Sequence, residues 1–489
     1  MRKILAAVGV LVFVALVCPV TGRAAEKKDE KKADKKAAVE QKAAPEKEVA
    51  KEPAKDAAKV AEKSMFRYGG DERIRQEFFD EIPIIADPPG VTRGGKNNYF
   101  RFRTRLWAEV DPMDNVTLKA RVVNECRAWQ DPDMSDRPDR STWEWPDEWV
   151  FDNLYIDIRN LANDKLDLCI GRQDLIYGTG KVILEGTPKD GSRTIYFNAA
   201  RATWRFSKDT SLDIFGIYMP PEDTLAINDV DRELTGYSSG YDKMTESGGG
   251  LYLKDNSSAT LPFELYAIYK NESDYETGTG DAVVDHPTLD LNTFGTRLMP
   301  KFNDRLSGNL ELAYQIGERG DQDVSGYMGD AYVTYKLPFA DSIKPAMDVG
   351  VYYLSGDDPD TAADEGWNPL WARYPQYSEL YVYAYDADGA ARWNNVAMPR
   401  AVISAQLCKW MKGSAGVAYL YAPEKNGPGG GSDRGLLSSL KSEFTLKEGM
   451  LTKKDKLTGH LLVEWLEPGN YYNVNDTAIF ARWQLNYEF

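Results

Sequence analysis

The sequence predicts an all-β chain: a transmembrane antiparallel up-and-down β-barrel of about eighteen strands, with long outer loops and short periplasmic turns. Three observations predict it. In the final stretch, Ile479, Ala481, Trp483, Leu485, Tyr487 and Phe489 alternate with Arg482, Gln484, Asn486 and Glu488, and side chains on a strand point alternately to opposite faces. One face suits lipid and the other suits water. Segments of this kind recur eighteen times, most of them near the roughly 9 to 11 residues that cross a bilayer at a tilt. The connections between them alternate short and long almost throughout, as a closed meander across a membrane requires and a propeller or sandwich does not.

In chain order, the first feature is a leader. Arg2 and Lys3 precede an apolar run from Ile4 to Val17 that ends at Gly22-Arg23-Ala24. Fourteen residues are too few to span as a helix, so residues 1–24 read as a secretory signal and the chain is expected to leave the cytoplasm. Residues 25–64 follow as a Lys, Glu, Ala and Pro-rich arm with twelve lysines against ten acids. With no aromatic side chain to bury, that stretch reads as disordered. It offers a solvated spacer or a tether towards peptidoglycan, and its near balance of charge argues against a nucleic-acid arm.

Residues 65–489 form the expected barrel. Setting aside the leader's three positive charges and the arm's excess of two, the chain's −16 becomes −21 for this body, a surface that excludes nucleic acid as a partner. The mean hydropathy of −0.51 excludes a hidden helical bundle. Cys126, Cys169 and Cys408 are odd in number and widely spread, with neither a disulfide framework nor zinc spacing, and read as small packing residues.

Period-2 alternation places strands at 66–79, 98–110, 115–127, 148–158, 165–173, 193–206, 210–219, 247–254, 262–271, 290–301, 306–317, 327–338, 344–355, 397–409, 413–423, 436–447, 456–466 and 476–489. Short turns fall at Asp111-Pro112-Met113-Asp114, Asn160 to Asp164, Ser207-Lys208-Asp209, Asn256-Ser257-Ser258, Asn303-Asp304-Arg305, Ala340-Asp341 and Met411-Lys412. Long loops run from Glu81 to Asn97, Asp131 to Asp147, Asp174 to Ser192 and Pro220 to Glu246. Trp107, Trp149, Trp204, Tyr335, Tyr419, Trp465 and Trp483 lie at strand ends, as interfacial girdles require.

Closure at about eighteen strands leaves an aqueous lumen rather than a filled core. Strand 98–110 assigns its faces most clearly, setting Phe100, Phe102, Leu106, Ala108 and Val110 against Arg101, Arg103, Arg105, Trp107 and Glu109. An arginine facing lipid at the bilayer midplane costs about 2 to 4 kcal/mol, so the three arginines belong inside. The same argument places Lys119 and Arg121, Arg201 and Arg205, Arg297 and Arg482 in the lumen. A basic stripe is therefore expected along one arc of an acidic protein, and reversing Arg103 and Arg105 is expected to shift selectivity from anions towards cations.

The net acidity sits in the long loops: Asp131, Asp133, Asp136 and Asp139; Glu222, Asp223, Asp229, Asp231 and Glu233; Asp357, Asp358, Asp360, Asp364 and Glu365. These carboxylates offer oxygen ligands to Ca²⁺, but their spacing matches no full calcium loop, and no other cofactor is implied. For hydrolysis the chain supplies only His286 and His460. His460 shares a face with Glu464, but no serine motif accompanies it, so no catalytic residue is assigned.

Leu168 to Gly178, with Gly171-Arg172-Gln173 closing a strand and Tyr177-Gly178 after it, together with Thr194 to Trp204, resembles the alginate-export family of outer-membrane proteins. The likeness continues through Gly366-Trp367-Asn368-Pro369-Leu370-Trp371 to Asn395 and through Leu466-Glu467-Pro468-Gly469. The resemblance implies a monomeric barrel whose arginine-rich lumen passes an anionic uronate polymer, with Arg105 and Arg172 in the stretches that match its selectivity residues. Strict parity sets Arg172 with Leu168 and Ile170, so an inward arginine there requires a bulge near Gly171. The chain departs from the family at Asn198, where many relatives are acidic, and at His460, where they carry arginine.

The expected protein is thus a passive outer-membrane channel of a diderm bacterium for anionic saccharide, set in lipid and inserted by the barrel-assembly machinery through its Phe489 strand. A general diffusion porin, an outer-membrane hydrolase and a wall-anchoring protein are the alternatives.

Overall fold

The computed structural model describes residues 65–82, 96–131, 143–144, 146–184, 196–221, 225, 227, 244–277, 284–372, 377–380 and 394–489. The leader, the arm and the acidic stretches 132–142 and 228–243 lie outside the described residues. The described chain falls within a single unit, Met65–Phe489.

Eighteen long strands form one closed antiparallel barrel. They are β1 (Phe66–Asp80), β2 (Asn97–Met113), β3 (Val116–Asp131), β4 (Val150–Asn160), β5 (Leu166–Gln173), β6 (Phe197–Arg205), β7 (Thr210–Met219), β8 (Glu246–Asp255) and β9 (Phe263–Glu272). The second half comprises β10 (Leu289–Leu298), β11 (Leu306–Arg319), β12 (Gln322–Lys336), β13 (Ala346–Leu354), β14 (Val396–Cys408), β15 (Met411–Tyr421), β16 (Asp433–Glu448), β17 (Lys456–Glu467) and β18 (Ala478–Glu488). Each strand pairs with its neighbours in sequence, and β18 closes on β1 in a register running from Asp71↔Glu488 to Asp80↔Ile479. Closure leaves no free edge, which satisfies every ladder group without water.

Alternation decides the two faces. Leu106, Leu118, Ile170, Ile214, Phe294 and Leu312 stand exposed on the outer wall, while Arg101, Arg103 and Arg105 on the opposite parity of β2 are buried within. At the short-turn end the wall carries Phe66 and Tyr68, ring centroids 5.8 Å apart, and Tyr487 and Phe489, 6.0 Å apart, an aromatic rim suited to a bilayer interface. Trp107 does not join that rim. It shares the inward parity, and a Cβ on Gly69 would meet its ring at 2.6 Å, so the glycine makes room for the indole. Cys126, Cys169 and Cys408 are free thiols.

The ladders zip further than the sequence pattern implies at one place on the long-loop side. β11 and β12 pair through Arg319↔Gln322, so only Gly320 and Asp321 turn the chain there. Gly320 adopts φ +58°, a conformation that glycine accepts without strain.

The lumen also departs from the water-filled expectation. Asp174–Leu184 and Ser355–Ala372 leave the strands and turn into the barrel, where Ile183-Leu184 pairs in parallel with Trp371-Ala372. Leu175, Val182, Ile183, Trp367, Leu370 and Trp371 are all buried against inward wall residues such as Ile217, Ile268 and Leu291. Filling the long-loop half removes this apolar area from water, so that half of the interior is a packed core. Neither stretch has a periodic pattern, which is why the sequence does not announce it.

Candidate permeation pathway

Along the arc of β1, β2, β3 and β18 the interior is polar. Arg101 and Arg73 converge on Glu125 of β3, Arg73 Nη2 at 2.6 Å. Arg103 Nη2 and Arg105 Nε share Asp71, at 3.1 and 2.7 Å. Glu77 receives Arg75 Nε at 3.2 Å, Arg101 Nη1 at 3.3 Å and Arg482 Nη1 at 3.3 Å. Arg482 also reaches Glu379 at 2.9 Å and donates from Nε to His460 Nε2 at 3.0 Å. The basic stripe therefore exists as a stripe of arginines, but carboxylates of β1 and β3 interleave it. Arg73 and Arg75, absent from the expected lumen residues, lie on the same parity of β1 as Asp71 and Glu77, the signal that marks them as inward.

The other expected lumen residues distribute around the wall. Lys119 Nζ sits 3.1 Å from Glu109 and 5.6 Å from the centre of the Trp107 ring. Arg121 forms ion pairs with Asp152 at 2.8 Å and Asp174 at 3.0 Å. Asp152 is the extra residue where the β3–β4 register shifts between Arg121↔Asn153 and Val122↔Phe151. Arg205 pairs with Asp167 near the short turns. Across the lumen, Arg297 Nη1 lies 3.1 Å from Glu264 and Arg297 Nε donates to Asn309 at 2.7 Å.

Arg172 is buried, but not through a bulge at Gly171. The ladders flanking β5 run through that glycine with no register shift. Instead Gly171 takes φ +127°, where a Cβ would come within 2.3 Å of the Leu154 carbonyl. Arg172 donates to Asn198 at 2.9 Å and to the Phe151 carbonyl at 2.9 Å, and its guanidinium stacks 3.9 Å from the centre of the Tyr196 ring.

Arg201, like Arg172 with its bonds to Asn198 and the Phe151 carbonyl, meets no hydrogen-bonded carboxylate among the described residues. It faces Phe215 across the β6–β7 ladder. Phe215 stacks on Tyr177 at 5.1 Å, and Tyr177 stacks on Tyr252 at 4.4 Å. Lys254, which the strand parity of Tyr252 would have revealed, holds its ammonium 5.1 Å from the Tyr177 ring and 5.5 Å from the Tyr252 ring. Its nearest carboxylate, Asp213, is 3.8 Å away. Two cations and a run of aromatic faces thus meet where the first inserted stretch touches the wall.

The possible catalytic and metal groups are engaged otherwise. His460 accepts from Arg482, Glu464 accepts from Ser378 Oγ and the Leu380 amide at 2.8 Å each, and His286 stacks on Tyr275. Asp357, Asp358, Asp364 and Glu365 accept backbone amides of their own loop. Among the described residues no cluster of His, Cys, Asp and Glu could hold a metal ion.

A closed barrel with an apolar exterior and an ionic interior defines an outer-membrane channel of the porin type. The alginate export family model matches residues 65–425, and the chain belongs to that family. Among solved structures, Acinetobacter baumannii OccAB2 superposes with a TM-score of 0.54 at 10% identity, covering 86% of this chain and 98% of that one. Pseudomonas aeruginosa OccK5 (OpdH) gives 0.52 at 11% identity over 86% and 98% of the two chains. P. aeruginosa OccK2 (OpdF), solved in complex with glucuronate, gives 0.52 at 11% identity over 87% and 98%. At such identities the likeness is one of fold. A search of curated proteins returns no match.

Proposed function

We propose that this chain is a passive channel for anionic solutes of the uronate class, saccharides or oligosaccharides, crossing the outer membrane of a Gram-negative bacterium down their gradient. The observation that carries the reading is Arg201 with Lys254: a lumenal arginine with no hydrogen-bonded carboxylate among the described residues and a lysine held only at 3.8 Å by Asp213, set against the faces of Tyr177, Tyr252 and Phe215. Within low-dielectric walls such charges raise the local concentration of anions, and aromatic faces suit the apolar side of a pyranose ring. Membership of the alginate export family and the glucuronate held by the similarly folded OccK2 support the same class of solute.

The pairing of Arg101, Arg103, Arg105 and Arg121 with carboxylates favours a second reading, a general diffusion porin, because it cancels much of the field along that arc. Planar-bilayer recording separates the two. The channel is expected to prefer anions, uronate oligomers are expected to block its small-ion current, and Arg201→Glu with Lys254→Glu is expected to move the reversal potential towards cation preference. Equal passage of neutral and uronate oligomers, with an unmoved reversal potential in the double variant, leaves the diffusion porin.

A further inference from the structure

The first of the stretches that fill the long-loop half of the barrel and the segment that follows the second are tied to one side chain. Asp330 lies on the inward face of β12 and is fully buried. From the first stretch, the Lys181 ammonium reaches Asp330 Oδ2 at 2.9 Å. From the described segment 377–380, which follows the second stretch in the chain, the Tyr377 hydroxyl donates to the same oxygen at 2.7 Å. Arg400 of β14 completes the group: its Nη2 is 4.0 Å from Asp330 Oδ1 and its guanidinium lies 3.8 Å from the centre of the Tyr377 ring.

Apart from the parallel pairing that joins the two stretches to each other, the remaining ties hold one stretch alone. Glu311 of β11 stands 3.7 Å from Lys181 and accepts from Thr179 at 3.3 Å. Gln315 exchanges hydrogen bonds with the backbone of Asn368, and Lys270 donates to the Leu370 carbonyl at 3.0 Å. A buried carboxylate is tolerated only while cations and donors surround it, and a buried lysine only while it keeps its carboxylate. Removing the Asp330 charge leaves Lys181 with only the more distant Glu311 carboxylate, 3.7 Å away, and takes the carboxylate from Tyr377, so the first stretch and the segment that follows the second lose their common anchor together.

We propose that Asp330 is a positioning residue that holds the two inserted stretches across the lumen and so sets the width of the channel. The proposal rests on the chain being a channel, but not on its preference for uronates. Its test therefore uses KCl and neutral polyethylene glycols of graded size in planar bilayers, with no sugar present. Asp330→Asn keeps the shape of the side chain and removes its charge. The variant is expected to raise single-channel conductance about twofold or more, the change expected when a constriction is lost from a wide barrel. It is also expected to admit larger polymers than the parent protein.

Lys181→Met, altered on the inserted stretch rather than the wall, is expected to do the same, and the double variant to do no more than either single one. It also provides the readout should Asp330→Asn fail to insert. Merely loosened packing would lower the unfolding temperature without moving the polymer cut-off. Parent-like conductance and cut-off in the variants that insert would overturn the proposal, whatever the channel's selectivity proves to be.

Discussion

Glu125 accepts from Arg73 and Arg101, and none of the three side chains is more than 7% exposed. Breaking such a pair by removing one partner costs about 3–5 kcal/mol, because the charge left behind stays buried. Glu125→Gln is expected to destabilise the refolded barrel by about that amount, read from urea unfolding followed by tryptophan fluorescence. A loss under about 1 kcal/mol would mean that water reaches these guanidinium groups and screens them. The same geometry changes how Arg103 and Arg105 should be tested. The sequence alone recommends reversing them, but they share Asp71, so reversal sets carboxylate against carboxylate and confounds selectivity with folding. Arg201 and Lys254 give the cleaner readout. Parity could place an arginine inside, but it could not show which arginine meets an acid, since the acids come from the neighbouring strands.

At the scale of elements, the turn between β16 and β17 is held by Asp455. Burial disfavours its charge, yet the amides of Leu451, Thr452 and Met450 and the Tyr487 hydroxyl overcome this and hold the carboxyl down at about 2. An ordinary aspartate titrates near ~3.9. Because the folded value lies below the unfolded one, folding favours the ionised form. The stabilisation is complete above about pH 4 and is lost as pH falls through about 2. Asp455→Asn is expected to lower the unfolding temperature at pH 7 and to converge on the parent near pH 2, measured by circular dichroism across that range. Parallel curves for the two proteins would remove Asp455 from the acid response.

The hydrogen bond from Tyr487 joins this turn to the closing strand, a link that neither segment shows by itself. Strand existence was legible because each strand carries its own alternation. The tight Gly320-Asp321 turn was not, since the expected strands at 306–317 and 327–338 stop short of the last ladder pairs.

At the scale of the whole molecule, the outer wall is the determinant of behaviour. Exposed Leu106, Ile214, Phe294 and Leu312 belong to a continuous apolar surface, and a surface of that extent does not stay dispersed in water. Residues 65–489 are expected to need detergent for monodispersity. They are also expected to migrate differently on gels before and after boiling, because a closed sheet has no frayed edge from which to unzip. A soluble, detergent-free monomer of this span would contradict the lipid-facing assignment.

The sequence by itself determined the barrel: strand number, the sign of each face, the closing strand and the inward arginines other than Arg172 follow from a period of two and from the cost of charge in lipid, and both act locally along the chain. Only the tertiary structure decided what the lumen is. Glu125 and Arg101 are 24 residues apart, Tyr377 and Asp330 are 47 apart, and Arg482 and Glu77 are 405 apart. Such pairs have no periodicity to betray them, and neither do the two stretches that fold inward. They exist because closure of the sheet brings distant carboxylates, cations and apolar side chains into one confined space.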